Sequence, residues 1–274
     1  MDTLVAAIVM GIVQGLTEFL PVSSSGHLII VPYLLGITDP FITSLEFSVI
    51  LHIGTLGALL IYFRSDWLRL VPAFLALLRD RSLAGDPDRR LAALLAIATV
   101  PALVLGFLLN DVAELIRNVG LVAVMLVVGG AILWLAERAG SRGRLALDLS
   151  FGQALAIGGA QAIALIPGIS RSGISISAGL FAGLRRDEAA RFSFLMATPI
   201  TAAAAAYEVL KVVRGESVAF QVGPMAAGLV ASFVFGLLAI TVLIRLLRTR
   251  STDVFVLYRV ILAAAVLVTW LNLR

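Results

Sequence analysis

Three stretches of the chain, Leu91–Asn110, Asn118–Ala136 and Ser217–Ile244, run without a single charged side chain. Each is continuously apolar and long enough to cross the hydrocarbon of a bilayer as a helix. Runs of this kind exclude a β-barrel, whose strands alternate apolar and polar positions. Full crossings are predicted at Phe47–Phe63 and at about 90–109, 119–136, 190–209, 224–244 and 254–272. Between the first two, Asp66 to Arg81 carries Trp67, apolar residues and flanking arginines, which predicts a short helix lying in the interface.

Two other apolar stretches stop short of a crossing. Residues 3–35 are interrupted by Gln14 to His27, which reads Gln-Gly-Leu-Thr-Glu-Phe-Leu-Pro-Val-Ser-Ser-Ser-Gly-His. Residues 149–184 are interrupted by Pro167-Gly-Ile-Ser-Arg-Ser-Gly173. Proline, glycine and serines end a lipid-facing helix, and irregular backbone at membrane depth is tolerated only where protein or water covers it. Both stretches are therefore predicted to be re-entrant helical hairpins. Sliding the chain by 147 positions lays Gly11 on Gly158, Gln14 on Gln161, Ser23 on Ser170, Ser25 on Ser172 and Gly26 on Gly173. Each half thus holds one hairpin and three spans, and an odd number of crossings turns the second copy upside down. The predicted fold is an all-α integral membrane protein with an inverted-topology repeat, residues 1–147 and 148–274, in a single membrane domain.

Composition agrees with this pattern. Of 274 residues 60% are hydrophobic and only 14% charged, against about a quarter in soluble domains. There is no cysteine, so disulfides and thiolate chemistry are excluded. The N-terminus has no basic region and carries Asp2, so no cleavable signal peptide is expected. The excess of positive charge is arginine, Lys211 being the only lysine, and it clusters near predicted span ends. That placement suits orientation and anionic lipid rather than nucleic acid. The loops at 64–90, 138–144, 185–191 and 245–250 are arginine-rich, whereas those at 110–118 and 210–223 hold only Arg117, Lys211 and Arg214. The rich side is expected in the cytoplasm, with both termini and the mouth of the first hairpin facing outward.

Candidate chemistry lies in the two breaks. Glu18 has no charged neighbour from residue 3 to residue 38. A lone carboxylate at membrane depth costs about 2.5–3.5 kcal/mol on insertion scales, so it marks a site or a buried partner. Arg171 is the natural partner, and inverted hairpins would bring the two together near the bilayer centre. New helix N-termini after Ser25-Gly26 and Ser172-Gly173 offer backbone N–H groups to an anion, and a guanidinium adds a bidentate fork. Gln14 and Glu18, four apart, share a helix face. Plainer readings stand beside these. Glu18 and Arg171 could be a structural pair, His27 could satisfy a carbonyl, and Ser23, Ser25 and Ser172 could be caps. His52 reads as a packed mid-span histidine, Glu46 as an interface marker or metal aid, and Gln161 as a tie within the second hairpin. Gly179 and Gly183 have helix-packing spacing, and Arg259 reads as snorkelling or paired with Asp253.

The two motifs together, with the length and span order of the whole chain, resemble the undecaprenyl-diphosphatase, or bacitracin-resistance, family. The resemblance implies removal of the terminal phosphate of undecaprenyl diphosphate, with a divalent cation, Mg²⁺ or Ca²⁺. It implies Glu18 as the acid, Ser24 as nucleophile, His27 as its assistant and Arg171 as phosphate clamp. Ser23, Ser25, Gly26, Ser170, Ser172 and Gly173 would line the phosphate, with Glu18 and Gln14 near the metal. Gln14 stands where the family has an acid or an amide, and Ser25 and Ser175 stand where threonine is frequent. Attack by serine and attack by water both remain open, and a transporter or flippase of a phosphorylated lipid is the competing function. The expected setting is a bacterial plasma membrane with the site opening to the outer face. The expected partners are a polyprenyl diphosphate and the bilayer, with a homodimer allowed and no nucleic acid.

Overall fold

The structure is a computed structural model that describes residues 1–83, 85–109, 118–214 and 221–272. The expected outer loop with Arg117 and residues 215–220 of the other lie outside the described residues. The described chain is helical: α1 Thr3–Phe19, α2 Ser24–Leu35, α3 Leu45–Tyr62, α4 Arg64–Asp80, α5 Pro87–Leu108, α6 Val119–Ala139, α7 Phe151–Ala162, α8 Arg171–Phe181, α9 Arg186–Val213, α10 Val222–Leu247 and α11 Asp253–Asn272. Local sequence explains several starts. Asp2 accepts from the N–H groups of Leu4 and Val5, Ser44 from Phe47, Asn118 from Leu121, and Ser150 with Gln153 forms a reciprocal cap. Asp39, in the loop after α2, accepts from the Thr3 hydroxyl at 2.7 Å, which holds its carboxyl below the usual range.

Among the described residues five helices, α5, α6, α9, α10 and α11, are long and apolar enough to cross a membrane, or six if the bent pair α3–α4 counts as one span. The chain is a multi-pass membrane protein. α4 turns 85° from α3 and exposes Leu68, Val71, Leu75 and Leu78 along one stripe, the form expected of a helix lying in the interface. Between α1 and α2, and between α7 and α8, the chain breaks where Pro21 and Pro167 were expected to break it.

Close helix contacts rest on glycine. A Cβ on Gly11 of α1 would collide with the carbonyl of Gly228 in α10, and one on Gly158 of α7 would collide with that of Ala98 in α5. The broken helix of each half thus packs against a span of the other half. Phe19, Phe63 and Phe194 meet edge-on or tilted in the largest apolar core. The spacing of Gly179 and Gly183 proves not to be a packing pair. Gly179 faces Ala189, but Gly183 lies in the turn after α8 at a φ of 87°, a backbone conformation that favours glycine.

The four arginine-rich loops gather at one end. Buried Glu137 accepts from Arg142 at 2.9 Å, from Arg186, and from the Thr252 hydroxyl at 3.0 Å. Asp66 takes Arg69 and Arg191, and Arg90 donates to the carbonyls of Leu147 and Leu149. These arginines fasten loops to one another as well as marking a side. Arg259 is a correction: Asp253 pairs with Arg138 at 3.0 Å, while the Arg259 side chain is fully buried and neither snorkels nor meets an acid.

Candidate active site

Both breaks end in a serine held in the left-handed region, Ser23 at φ 75° and Ser170 at φ 76°. Such a conformation costs of order 1–3 kcal/mol for a residue with a side chain, and it persists only where surroundings impose it. Here each serine caps the helix that follows. Gly26 N–H donates to Ser23 Oγ at 3.3 Å and Gly173 N–H to Ser170 Oγ at 3.1 Å. The hydroxyls of Ser23 and Ser25 are 3.3 Å apart, as are those of Ser170 and Ser172. The match at an offset of 147 therefore extends from residue identity to backbone geometry. It also means that the Gly26 and Gly173 N–H groups, expected to meet a phosphate, are engaged by their caps.

The breaks touch. Ser172 Oγ donates to the carbonyl of Leu20 at 3.0 Å, tying the start of α8 to the end of α1. Beside this contact Glu18 collects donors from both halves of the chain. Its Oε1 accepts from Arg171, while its Oε2 accepts from Ser24 Oγ at 2.6 Å and from Gln14 Nε2 at 3.0 Å. His52 Nε2 lies 3.5 Å from the same Oε2. Glu18 and Gln14 are buried, whereas Arg171 and His52 remain 18% and 29% exposed, so they face the approach to the acid.

The imidazoles exchange the places expected of them. His27 was expected beside Ser24, but its Nδ1 bonds the Ser23 carbonyl and its Nε2 the Tyr258 hydroxyl, each at 2.7 Å. The Tyr258 ring stacks on it at 5.7 Å, with planes 10° apart. Both ring nitrogens are spent on holding the first break against α11. His52, read as a packed histidine, uses Nδ1 on the Ser48 carbonyl one turn back and aims Nε2 at Glu18. Glu46 lies in the first turn of α3, nearly two turns before His52 and away from the contacts of Glu18. Gln161 is buried in α7 with neither amide atom hydrogen-bonded. Tyr258 carried no motif, and its role became visible only in the packing of α11.

For a metal, the donor set is small. Among the described residues no three His, Asp or Glu side chains gather. Gln14 Oε1, however, is buried beside Glu18 with no hydrogen-bond partner. An amide oxygen and a carboxylate fit a hard cation that draws its remaining ligands from phosphate and water, as Mg²⁺ commonly does.

The family described as bacitracin resistance protein BacA matches residues 7–265. The undecaprenyl-diphosphatase of Desulforudis audaxviator is 46% identical over 263 residues, covering 95% of each chain. That of Rubrobacter xylanophilus is 46% identical over 266 residues, 96% of this chain and 97% of its own. A third, from Gemmatimonas aurantiaca, is 44% identical over 264 residues and 96% of each. With the family match running over residues 7–265 and relatives 44–46% identical over nearly the full length, the chain belongs to the BacA bacitracin-resistance family.

Proposed function

We propose that the chain is an undecaprenyl-diphosphatase, a membrane hydrolase that removes the terminal phosphate of undecaprenyl diphosphate and releases the monophosphate. Relatives sharing 44–46% of its residues over nearly their whole length carry that name. The observation that carries the reading is the meeting of Ser24, Glu18 and Arg171, drawn from two separate breaks onto one carboxylate. A nucleophile hydrogen-bonded to a base, facing a guanidinium, is more than substrate binding by a transporter requires.

In this reading the Ser24 hydroxyl attacks the terminal phosphorus. As the Oγ–P bond forms, the Ser24 proton passes to Glu18 and the bridging oxygen leaves with the lipid monophosphate. A water then attacks the phosphoserine and gives a proton to His52, while the Oγ–P bond breaks and Glu18 returns its proton to the Ser24 oxygen, restoring the hydroxyl with release of inorganic phosphate. Phosphoryl transfer needs little covalent help beyond alignment and charge neutralisation. Arg171 supplies a fork for the non-bridging oxygens once it turns from Glu18, and the N-termini of α2 and α8 add partial positive charge. Ser25 and Ser172 lie in the first turns of those helices and would line the phosphate. His52, with Nδ1 fixed by Ser48, has Nε2 free to carry a proton to the departing oxygen. His27 holds the loop in place. A Mg²⁺ or Ca²⁺ ion would be held by Glu18 and Gln14 Oε1 and would supply further neutralisation of the diphosphate.

The reading extends to orientation. The two hairpins would enter from opposite faces, and the end where the arginine-rich loops gather would be cytoplasmic, with the site opening outward. A membrane-impermeant thiol reagent applied outside intact cells should miss a cysteine placed at exposed Ser141, and labelling there would reverse the assignment. The activity is tested by phosphate release from undecaprenyl diphosphate with purified protein in detergent. Absence of release at every divalent-cation concentration would remove the enzyme reading.

A further inference from the structure

One buried charge has no part in the site as described. Arg259, two turns into α11, is fully buried, and all its hydrogen-bond partners are backbone carbonyls. Nε donates to Leu126 of α6 at 3.0 Å. Nη2 donates to Gly168 at 2.7 Å and Ile169 at 2.8 Å, with Met125 further off at 3.4 Å. Nη1 reaches Pro21 at 3.4 Å. A guanidinium buried without a carboxylate is expensive, and a fold bears it where the group has a task.

The carbonyls show the task. Pro21 lies two residues before the cap serine Ser23, and Gly168 lies two residues before the cap serine Ser170. At the offset of 147, Pro21 falls on Gly168. One planar fork therefore grips the equivalent carbonyl in each break. The residues that follow the two caps are Ser24 and Arg171, the groups that meet on Glu18. Room for the fork is made on α6. A Cβ on Gly129 would overlap Nη2, and Gly130 lies against the arginine stem. On the other side Nη1 sits behind the first turn of α8, 3.0 Å from where a Cβ on Gly173 would lie.

We propose that Arg259 is the positioning residue that locks the two breaks into register, so that Ser24 and Arg171 address one phosphate. The proposal rests on the phosphatase reading for its kinetic test. It also has a readout independent of activity. Lysine at 259 keeps the charge but is a point donor, so it cannot span both breaks. Arg259→Lys should lower kcat per folded molecule by about 10²-fold, the scale of a misplacement near 1 Å, while KM moves far less. Gly129→Ala displaces the fork from the facing helix and should reproduce the same split.

Spin labels on cysteines at exposed Leu35 and Phe181, the far ends of α2 and α8, report the register directly, since the chain has no cysteine of its own. Their distance distribution should be narrow in the parent and broad in both variants. If Arg259→Lys lowers the unfolding temperature but leaves kcat and the distance distribution unchanged, Arg259 is only a core fastener and the proposal fails. If the parent releases no phosphate yet the distribution broadens in the variants, the positioning role stands and the phosphatase reading falls. Should Arg259→Lys yield no folded protein, Gly129→Ala decides by the same two readouts.

Discussion

Ser24 Oγ lies 2.6 Å from Glu18 Oε2, a hydroxyl at the first position of α2 donating to a carboxylate at the end of α1. The Pro21–Ser23 turn between them brings the two side chains face to face. Since Ser23, not Ser24, caps α2, Ser24 is free for chemistry. Ser24→Ala should therefore leave the unfolding temperature close to the parent's and reduce phosphate release by at least about 10³-fold. Near-normal turnover by the folded variant would end the serine-attack route and leave water as the nucleophile.

Glu18 answers Arg171 across 153 positions of sequence, and neither has another opposite charge as close. Removing one partner strands the other in a low-dielectric site. Glu18→Gln and Arg171→Met should each destabilise the protein, and the double variant should lose less than the sum, with a coupling of about 1–3 kcal/mol. Thermal unfolding in detergent measures this. Strict additivity would mean that the pair is not formed in the folded protein.

The two histidines separate by measurement. His52→Gln should lower kcat by about 10²-fold with a much smaller change in unfolding temperature, because it removes the imidazole next to the acid. His27→Gln should lower the unfolding temperature by loosening the contact with Tyr258, with kcat per folded molecule closer to the parent's. The reverse pattern would return the proton-carrying role to His27.

Much of this arrangement was legible along the chain, and for physical reasons. The bilayer forces spans into long uncharged runs, so α5, α6, α10 and α11 could be placed to within a few residues. The breaks were visible because proline, glycine and serine cannot continue a lipid-facing helix. Glu18 and Arg171 could be paired because each is an isolated charge in apolar surroundings. Which imidazole meets Glu18 was not legible: it depends on how α3 lies against α1, which neither the serine-rich run before His27 nor the apolar span around His52 reveals. Arg259 was conspicuous as a charge within a span, but its partners are carbonyls of residues 21, 125, 126, 168 and 169, and a carbonyl leaves no mark in the sequence.

The unpartnered Gln14 Oε1 makes a prediction about cations. Chelator-treated protein should lose phosphate release and regain it with Mg²⁺ or Ca²⁺. Gln14→Leu removes the amide oxygen and leaves Glu18, so it should raise the cation concentration needed for half-maximal activity several-fold, with kcat at saturating cation closer to the parent's. An unchanged cation requirement in this variant would confine Gln14 to orienting Glu18 through its Nε2.

Gly11 and Gly158 test whether the two halves are equivalent in energy as well as in pattern. Each lies where a broken helix presses on the backbone of a span from the other half, Gly11 on Gly228 and Gly158 on Ala98. In both places the obstacle is a carbonyl on a packed helix, which cannot swing aside as a flexible side chain would. Gly11→Ala and Gly158→Ala should therefore each force the helices apart and cost about 1–3 kcal/mol by overpacking. Because α1 carries Glu18 and α7 leads to Arg171, either shift should also widen the gap those two groups close, so activity should fall more steeply than stability in both variants. If Gly158→Ala leaves stability and turnover untouched while Gly11→Ala lowers both, the second half does not brace its break as the first half does.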